Sequence, residues 1–329
     1  MTGPAAFAAV AVAMTGKYPA GVIRWAAQDS DRTSTRKVTM PFAVIDGIKT
    51  HYEVRGDGPP LLLLAPVGSN DSISRRWADR VWRGFRPLDA LVPDFSVIVY
   101  DRRESGGSGG CIEPLTWTHC AQHAKGLLDH LGVEKAFLLG GCVGCSVALA
   151  LAALCPERCR ALMLHWPVGG FHWLNRGRAN FDRHIAFARE HGLEGVAELA
   201  RRSSMFWSDP DAGPWSSILA SDRAFAESFV RQDLDHYLQL VEQSRDSLFS
   251  DTLLSGATCE QLVAMNVPAF IMPGNDALHT ASCAQVLREL MPQATLSSLK
   301  LTQQNATTIG QWVCESTGVH DAARRGIAA

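Results

Sequence analysis

No run of about 18 apolar residues occurs anywhere in this 329-residue chain, so no membrane-spanning helix is expected. Charge of one sign is not in excess either. With 31 Lys and Arg against 33 Asp and Glu the formal net charge is −2, which offers no general attraction to nucleic acid or to an anionic membrane. Nine cysteines are too few for a disulfide scaffold at this length, and several fall inside apolar, helix-like runs where a thiol behaves as a small hydrophobe. A reducing, cytoplasmic setting is therefore expected. No internal repeat is evident, and the Ala-rich opening, residues 1–14, lacks the basic leader of a secretory signal. What is abundant is apolar material, 47% of residues, enough for one large α/β domain with an insertion or for two domains. Small-molecule chemistry is the function class these absences leave foremost.

The polar stretch 28–37 (QDSDRTSTRK) reads as a linker. Residues 1–37 are thus expected to lie outside the fold, so that their removal leaves it intact. From Pro41 the pattern becomes regular. Residues 42–45 and 49–54 flank Asp46-Gly47, a pair whose positive φ suits a tight hairpin. The apolar runs 61–65, 97–100, 137–139, 161–165 and 269–272 are short and non-alternating, as strands buried on both faces are. Helix-like segments such as 119–131 and 146–154 separate them. Strand alternating with helix predicts an α/β fold, a mostly parallel sheet covered by helices on both faces. Between 170 and 262 the strand signal stops and helical segments at 181–191, 195–201 and 224–244 take over, which reads as an inserted helical cap. Its aromatics, among them Trp173, Phe206, Trp207, Trp215 and Phe229, read first as ordinary core. The expected division is a core of 38–169 and 263–318, a cap of 170–262 and a C-terminal tail of 319–329.

The run 137–156 carries strand, sharp turn and helix in succession. Gly140-Gly141-Cys142-Val143-Gly144 matches a G-x-nucleophile-x-G elbow, in which small flanking residues let the chain turn tightly enough to expose one strained side chain above the sheet. Cys142 occupies the nucleophile position. A helix N-terminus behind it directs backbone N–H groups at the sulfur and favours the thiolate. The amide of Val143 is the natural oxyanion donor.

With Tyr100-Asp101-Arg102-Arg103-Glu104-Ser105-Gly106-Gly107-Ser108 before it and Pro156-Glu157-Arg158 after it, this run resembles the nucleophile-elbow region of the α/β-hydrolase superfamily, with Cys where Ser is usual. The resemblance spans residues 42–313 and implies an α/β-hydrolase fold. It sets Val67, with Gly68 beside it, at the second oxyanion amide, although Ala65-Pro66 replaces the usual His-Gly pair. It sets Asp276, in Gly274-Asn275-Asp276 after the strand 269–272, as the acid of a triad. The alternative for Asp276 is a plain turn residue. The base is missing: where the family has a His after the last strand, this chain has Gln303, Gln304 and Asn305, none of which accepts a proton usefully near pH 7. His279, three residues beyond Asp276, ranks first as a displaced base. His165, at a strand end that lines the ligand crevice of such sheets, ranks second, and His320 in the tail third. A solvated surface His is the competing reading for each.

A thiol needs less help than a hydroxyl, so Cys142 and a displaced base are chemically coherent together. Cys142-Val143-Gly144-Cys145 is also a C-x-x-C at a helix start, as in dithiol redox sites. Zinc shared with Cys155 and Cys159 is excluded if the helix is continuous, because Cys142 and Cys155 would lie roughly 20 Å apart along it. The function expected is a hydrolase of a small ester, lactone, thioester or C–C bond next to a carbonyl, needing no cofactor and no metal. Its partner is a small carbonyl substrate, not nucleic acid or membrane, and a homodimer is compatible with the sequence. The alternatives are a non-hydrolytic lyase, isomerase or cyclase on the same scaffold, or a degenerate ligand-binding protein.

Overall fold

The computed structural model describes residues 42–66, 86–250 and 253–319. Residues 1–37, Val67, Gly68 and His320 lie outside them. The chain opens with an antiparallel hairpin, β1 (Phe42–Ile45) and β2 (Ile48–Arg55), closed by Asp46 at φ 49° and Gly47 at φ 77°. Two successive left-handed residues match the right-handed twist of the strands, which is why Asp-Gly stands there.

The remaining strands are β3 (Pro60–Leu64), β4 (Ser96–Tyr100), β5 (Ala136–Gly141), β6 (Cys159–His165), β7 (Ala269–Met272) and β8 (Ala294–Leu296). They complete an eight-stranded sheet of order β1-β2-β4-β3-β5-β6-β7-β8, parallel from β4 through β8, with β2 joining β4 antiparallel. The helices are α1 (Pro87–Leu91), α2 (Trp117–His130), α3 (Val143–Leu154), α4 (Phe171–Arg202), α5 (Ser216–Ser221), α6 (Arg223–Phe229), α7 (Leu234–Leu248), α8 (Cys259–Ala264), α9 (Ala281–Leu290) and α10 (Ala306–Thr317).

Alternate residues of one strand serve opposite faces of this sheet. Leu62 and Leu64 pack with Leu127, Leu128, Leu151 and Leu287 from α2, α3 and α9. Leu61 and Leu63 pack with Leu88, Leu91, Ile309 and Val313 from α1 and α10. Both faces are dry, which explains the non-alternating apolar runs.

Between β6 and β7 the described residues form helices and no strand. A third cluster there, with Trp173, Phe181, Trp215, Phe229 and Tyr237, also takes in Cys142 and Val143, so the helical insertion packs onto the elbow. The segments 181–191 and 195–201 are separate helical stretches within α4, as expected, because Gly192 at φ 68° and ψ −179° breaks the helix between them. One boundary differs from the sequence reading. The single helix expected over 224–244 is two, because Asp222 caps α6 and Asp233 caps α7 through the amides of Phe225 and His236. No described helix is long and apolar enough to cross a membrane.

The elbow glycines are set by close backbone approach. A Cβ on Gly144 would lie 1.9 Å from the Leu64 carbonyl oxygen, and one on Gly140 2.5 Å from that of Gly144. Backbone cannot yield as a flexible side chain does. Gly144→Ala is therefore expected to destabilise the fold by about 3 kcal/mol or more, read as a drop in the urea midpoint at unchanged slope. An unchanged midpoint would contradict the packing.

Candidate active site

Cys142 stands between the last residue of β5 and the first of α3, at φ 53° and ψ −120°, and is 3% exposed. A non-glycine residue in the left-handed region is strained, and surrounding structure must hold it there. Part of that hold is visible: the Cys142 amide donates to the His165 carbonyl at 3.0 Å, tying the elbow to the end of β6, and the Cys145 amide donates to the Cys142 carbonyl at 3.0 Å. The amide of Val143 heads α3, where the first N–H groups have no acceptor within the helix.

Cys145 is differently employed. Its thiol donates to the carbonyls of Gly140 and His165 at 3.2 and 3.4 Å, and burial pushes it well above the ordinary thiol range. No disulfide joins Cys142 and Cys145.

The turn after β7 brings Asp276 and His279 together. One carboxylate oxygen of Asp276 accepts from the amides of Leu278 and His279 at 2.9 and 3.0 Å, closing an Asx-type turn. The His279 Nδ1 lies 2.9 Å from both carboxylate oxygens. Burial pushes the Asp276 carboxyl up, but the bonds from His279 and from the Leu278 amide outweigh it and hold the acid below the ordinary carboxylate range. An ionised carboxylate only accepts, so Nδ1 carries a proton, and in the neutral ring the lone pair is on Nε2. Nε2 is buried and has no hydrogen-bond partner among the described residues, so no hydrogen bond runs from it to Cys142 Sγ. The backbone of His279 pairs with Gly169, which stitches this turn to the exit of β6.

His165 is 1% exposed, and burial together with the neighbouring His279 pushes its imidazole down to about 3. It stays neutral at physiological pH and is too weak a base to hold a proton there. His279, by contrast, holds the Asp276 carboxylate on Nδ1.

Trp166, missed in the sequence, follows His165 at φ 55°. Its ring stacks on His165 at a centroid distance of 5.6 Å and tilts against His279 at 5.7 Å. Its indole N–H donates to the side-chain oxygen of Gln304 at 2.7 Å. Gln304 thus employs its amide as an anchor for the indole in the stretch where a His was expected, while Asn305 caps α10. Nothing local in Trp166-Pro167 announces a left-handed tryptophan.

A small cavity of about 120 Å³ borders Val143. Its walls include Trp173, Phe206 and Trp207 from the insertion and Arg102, Arg103 and Glu104 from the turn after β4. Glu104, at φ 59°, is 7% exposed, and burial pushes its carboxyl up to about 7 against the opposing pull of Arg103.

Three buried histidines give the protein an acid-sensitive stability. Burial lowers His123 to about 3, helped by Arg103 and Arg102, lowers His165 to about 3 and lowers His184 to about 4, all from 6.5. The unfolded chain takes up protons the native state refuses, so this stabilisation is complete above about 6.5 and is lost as pH falls toward 4. Glu104 acts in the opposite sense between 4.5 and 7, one group against three. The thermal midpoint is expected to fall steadily from pH 6.5 to 4.5. A flat midpoint over that range would show that the imidazoles are not buried neutral.

A profile of the α/β-hydrolase fold family matches residues 77–183. The chain is 34% identical over 266 residues to a putative carbamate hydrolase, RutD, of Azorhizobium caulinodans, covering 79% of this chain and 89% of that protein. It is 31% identical over 123 residues to a 2-hydroxymuconate semialdehyde hydrolase of Pseudomonas putida, covering 37% and 41% respectively. Among solved structures, a hydrolase from Pseudomonas aeruginosa PA01 superposes with a TM-score of 0.56 at 21% identity, over 86% of this chain and 99% of that one.

Proposed function

The chain belongs to the α/β-hydrolase fold family, and from that premise we propose that it is a cysteine-dependent hydrolase of a small ester, lactone, thioester or C–C bond next to a carbonyl. One observation carries the reading: Asp276 holds Nδ1 of a buried His279 and leaves Nε2 open, on a strand end of the same sheet that raises Cys142 on its elbow. The names of the relatives, hydrolases of carbamates and of a semialdehyde, support the same reaction class.

In the proposed reaction His279 takes the thiol proton of Cys142 on Nε2, the Cys142 sulfur attacks the carbonyl carbon as the carbonyl π bond opens, and the resulting oxyanion accepts from the amide of Val143, with Val67 as second donor. Collapse expels the leaving group, which takes a proton from the His279 imidazolium. His279 then removes a proton from water as that water attacks the acyl-thioester, and the acid and free Cys142 are regenerated. Asp276 keeps the tautomer correct throughout. The helical insertion serves as the cap that shields the site from water.

The test is intact-protein mass after incubation with an ester panel, followed by peptide mapping with a thiol-directed probe. A transient acyl adduct on Cys142, and faster labelling there than at Cys111 or Cys283, is expected. An inert Cys142 beside a fast-labelling Cys111 or Cys283 would sink the proposal. The missing hydrogen bond between His279 and Cys142 favours one competitor, a protein that only binds a ligand beneath its cap. That competitor gives no adduct and no turnover while ligands still raise the thermal midpoint.

A further inference from the structure

The cavity beside Val143 is lined by aromatic and by charged residues. Among the latter two arginines of adjacent number have unlike company. The Arg103 Nε donates to both oxygens of Glu104 at 2.9 and 3.1 Å, and its Nη2 donates to Glu113. Glu104 accepts besides from the Cys111 amide at 3.2 Å. Both nearby carboxylates are therefore engaged by Arg103. Arg102 is as deeply buried, 9% exposed, yet no carboxylate or carbonyl among the described residues hydrogen-bonds its guanidinium. Its charge is felt locally, since it and Arg103 both help to keep His123 neutral.

A guanidinium cannot shed its proton to escape burial, and a buried cation with no carboxylate or carbonyl on it among the described residues is costly enough to call for an explanation. Its five N–H donors match one ligand type best, a carboxylate gripped by two parallel bonds. In the lining of the same cavity Trp173 and Trp207 stack at 5.1 Å and Phe206 leans on Trp207 at 5.9 Å, an apolar surface for a flat or aliphatic body. A volume of about 120 Å³ is well under the roughly 300 Å³ at which common ligand pockets begin, so the body is small.

We propose that Arg102 binds the carboxylate of a small acidic substrate whose apolar part lies against Trp173, Phe206 and Trp207, and that the bond cleaved by Cys142 lies in a molecule carrying such a free acid. The substrate assignment rests on the proposed hydrolase function; the anion site itself does not.

Calorimetry with phenylacetate and its neutral counterpart phenylacetamide tests the site without turnover. The acid is expected to bind about 10- to 100-fold more tightly to the native protein, the size of a charge-assisted pair. In Arg102→Gln, checked for an unchanged far-UV spectrum, the two affinities are expected to converge to within about twofold. Equal affinities in the native protein, no binding of either compound at millimolar concentration, or an acid preference that survives Arg102→Gln would overturn the site. Turnover of half-esters of dicarboxylic acids against neutral esters is measured alongside. Hydrolysis without preference for the half-ester removes the substrate assignment alone, whereas acid binding without any hydrolysis removes the hydrolase reading and leaves the anion site standing.

Discussion

Replacing Cys142 by alanine is expected to lower kcat/KM for an activated ester by about ten-thousandfold or more, because the covalent route then has no atom on which to carry the acyl group. Cys142→Ser is the sharper comparison. The hydroxyl fits the elbow, and the fold should survive with a thermal midpoint within a few degrees of the native value. Yet a hydroxyl near pH 7 attacks only when a base takes its proton in the same step, and His279 Nε2 makes no hydrogen bond to this position in the structure. The serine variant is therefore expected to retain no more than about a thousandth of native activity. Native-like rates in Cys142→Ser would show that the base is fully engaged, and native-like rates in Cys142→Ala would show that Cys142 is not the nucleophile. Both are read by steady-state kinetics on purified, folded protein.

Asp276→Asn carries the second large effect. The carboxylate accepts three N–H groups at once, from the amides of Leu278 and His279 and from the imidazole. Asparagine offers one oxygen, which can keep the turn, and one NH2, which can only donate. The amide then favours the imidazole tautomer with its proton on Nε2, the wrong end for a base. Activity is expected to fall by about a hundredfold to ten-thousandfold near pH 7, with part of the loss recovered at alkaline pH, where a fully formed thiolate at Cys142 needs less assistance. His279→Gln should show the same direction and no smaller loss. If both variants keep native pH profiles and rates, Asp276 is only a turn residue, and proton transfer belongs elsewhere. The measurement is kcat/KM from pH 5 to 10 for the three proteins.

Legibility from sequence followed the range of the constraint. The elbow was readable because Gly140 and Gly144 answer to backbone atoms within a few residues or on the adjacent strand, and only glycine fits. Asp46-Gly47 declared its hairpin for a similarly local reason. The sheet was readable because strands buried on both faces need continuous apolar runs. By contrast, the three-residue β8 has no length over which a period could register, and the caps at Asp222 and Asp233 sit inside a stretch whose apolar spacing reads as one helix. At the site, the pairing of Asp276 with His279 was legible as sequence proximity. The role of Trp166 was not, because it depends on Gln304, 138 residues away. The contrast between Arg102 and Arg103 was equally hidden, since adjacent identical residues differ only in what three-dimensional packing sets beside them.

The four-residue turn from Asp276 to His279 has a consequence for robustness. In a hydrolase whose base follows the last strand, acid and base meet only when two separate loops dock, and loosening of the C-terminal strand and helix parts them. Here the pair closes a ring of four residues, for which the chain entropy of closure is small. Fraying of β8 and α10 can proceed as local unfolding without separating the carboxylate from the imidazole. The C-terminal segment is thereby released from holding the acid and base together, and substitutions, insertions or partner contacts can accumulate there at little cost to that pair.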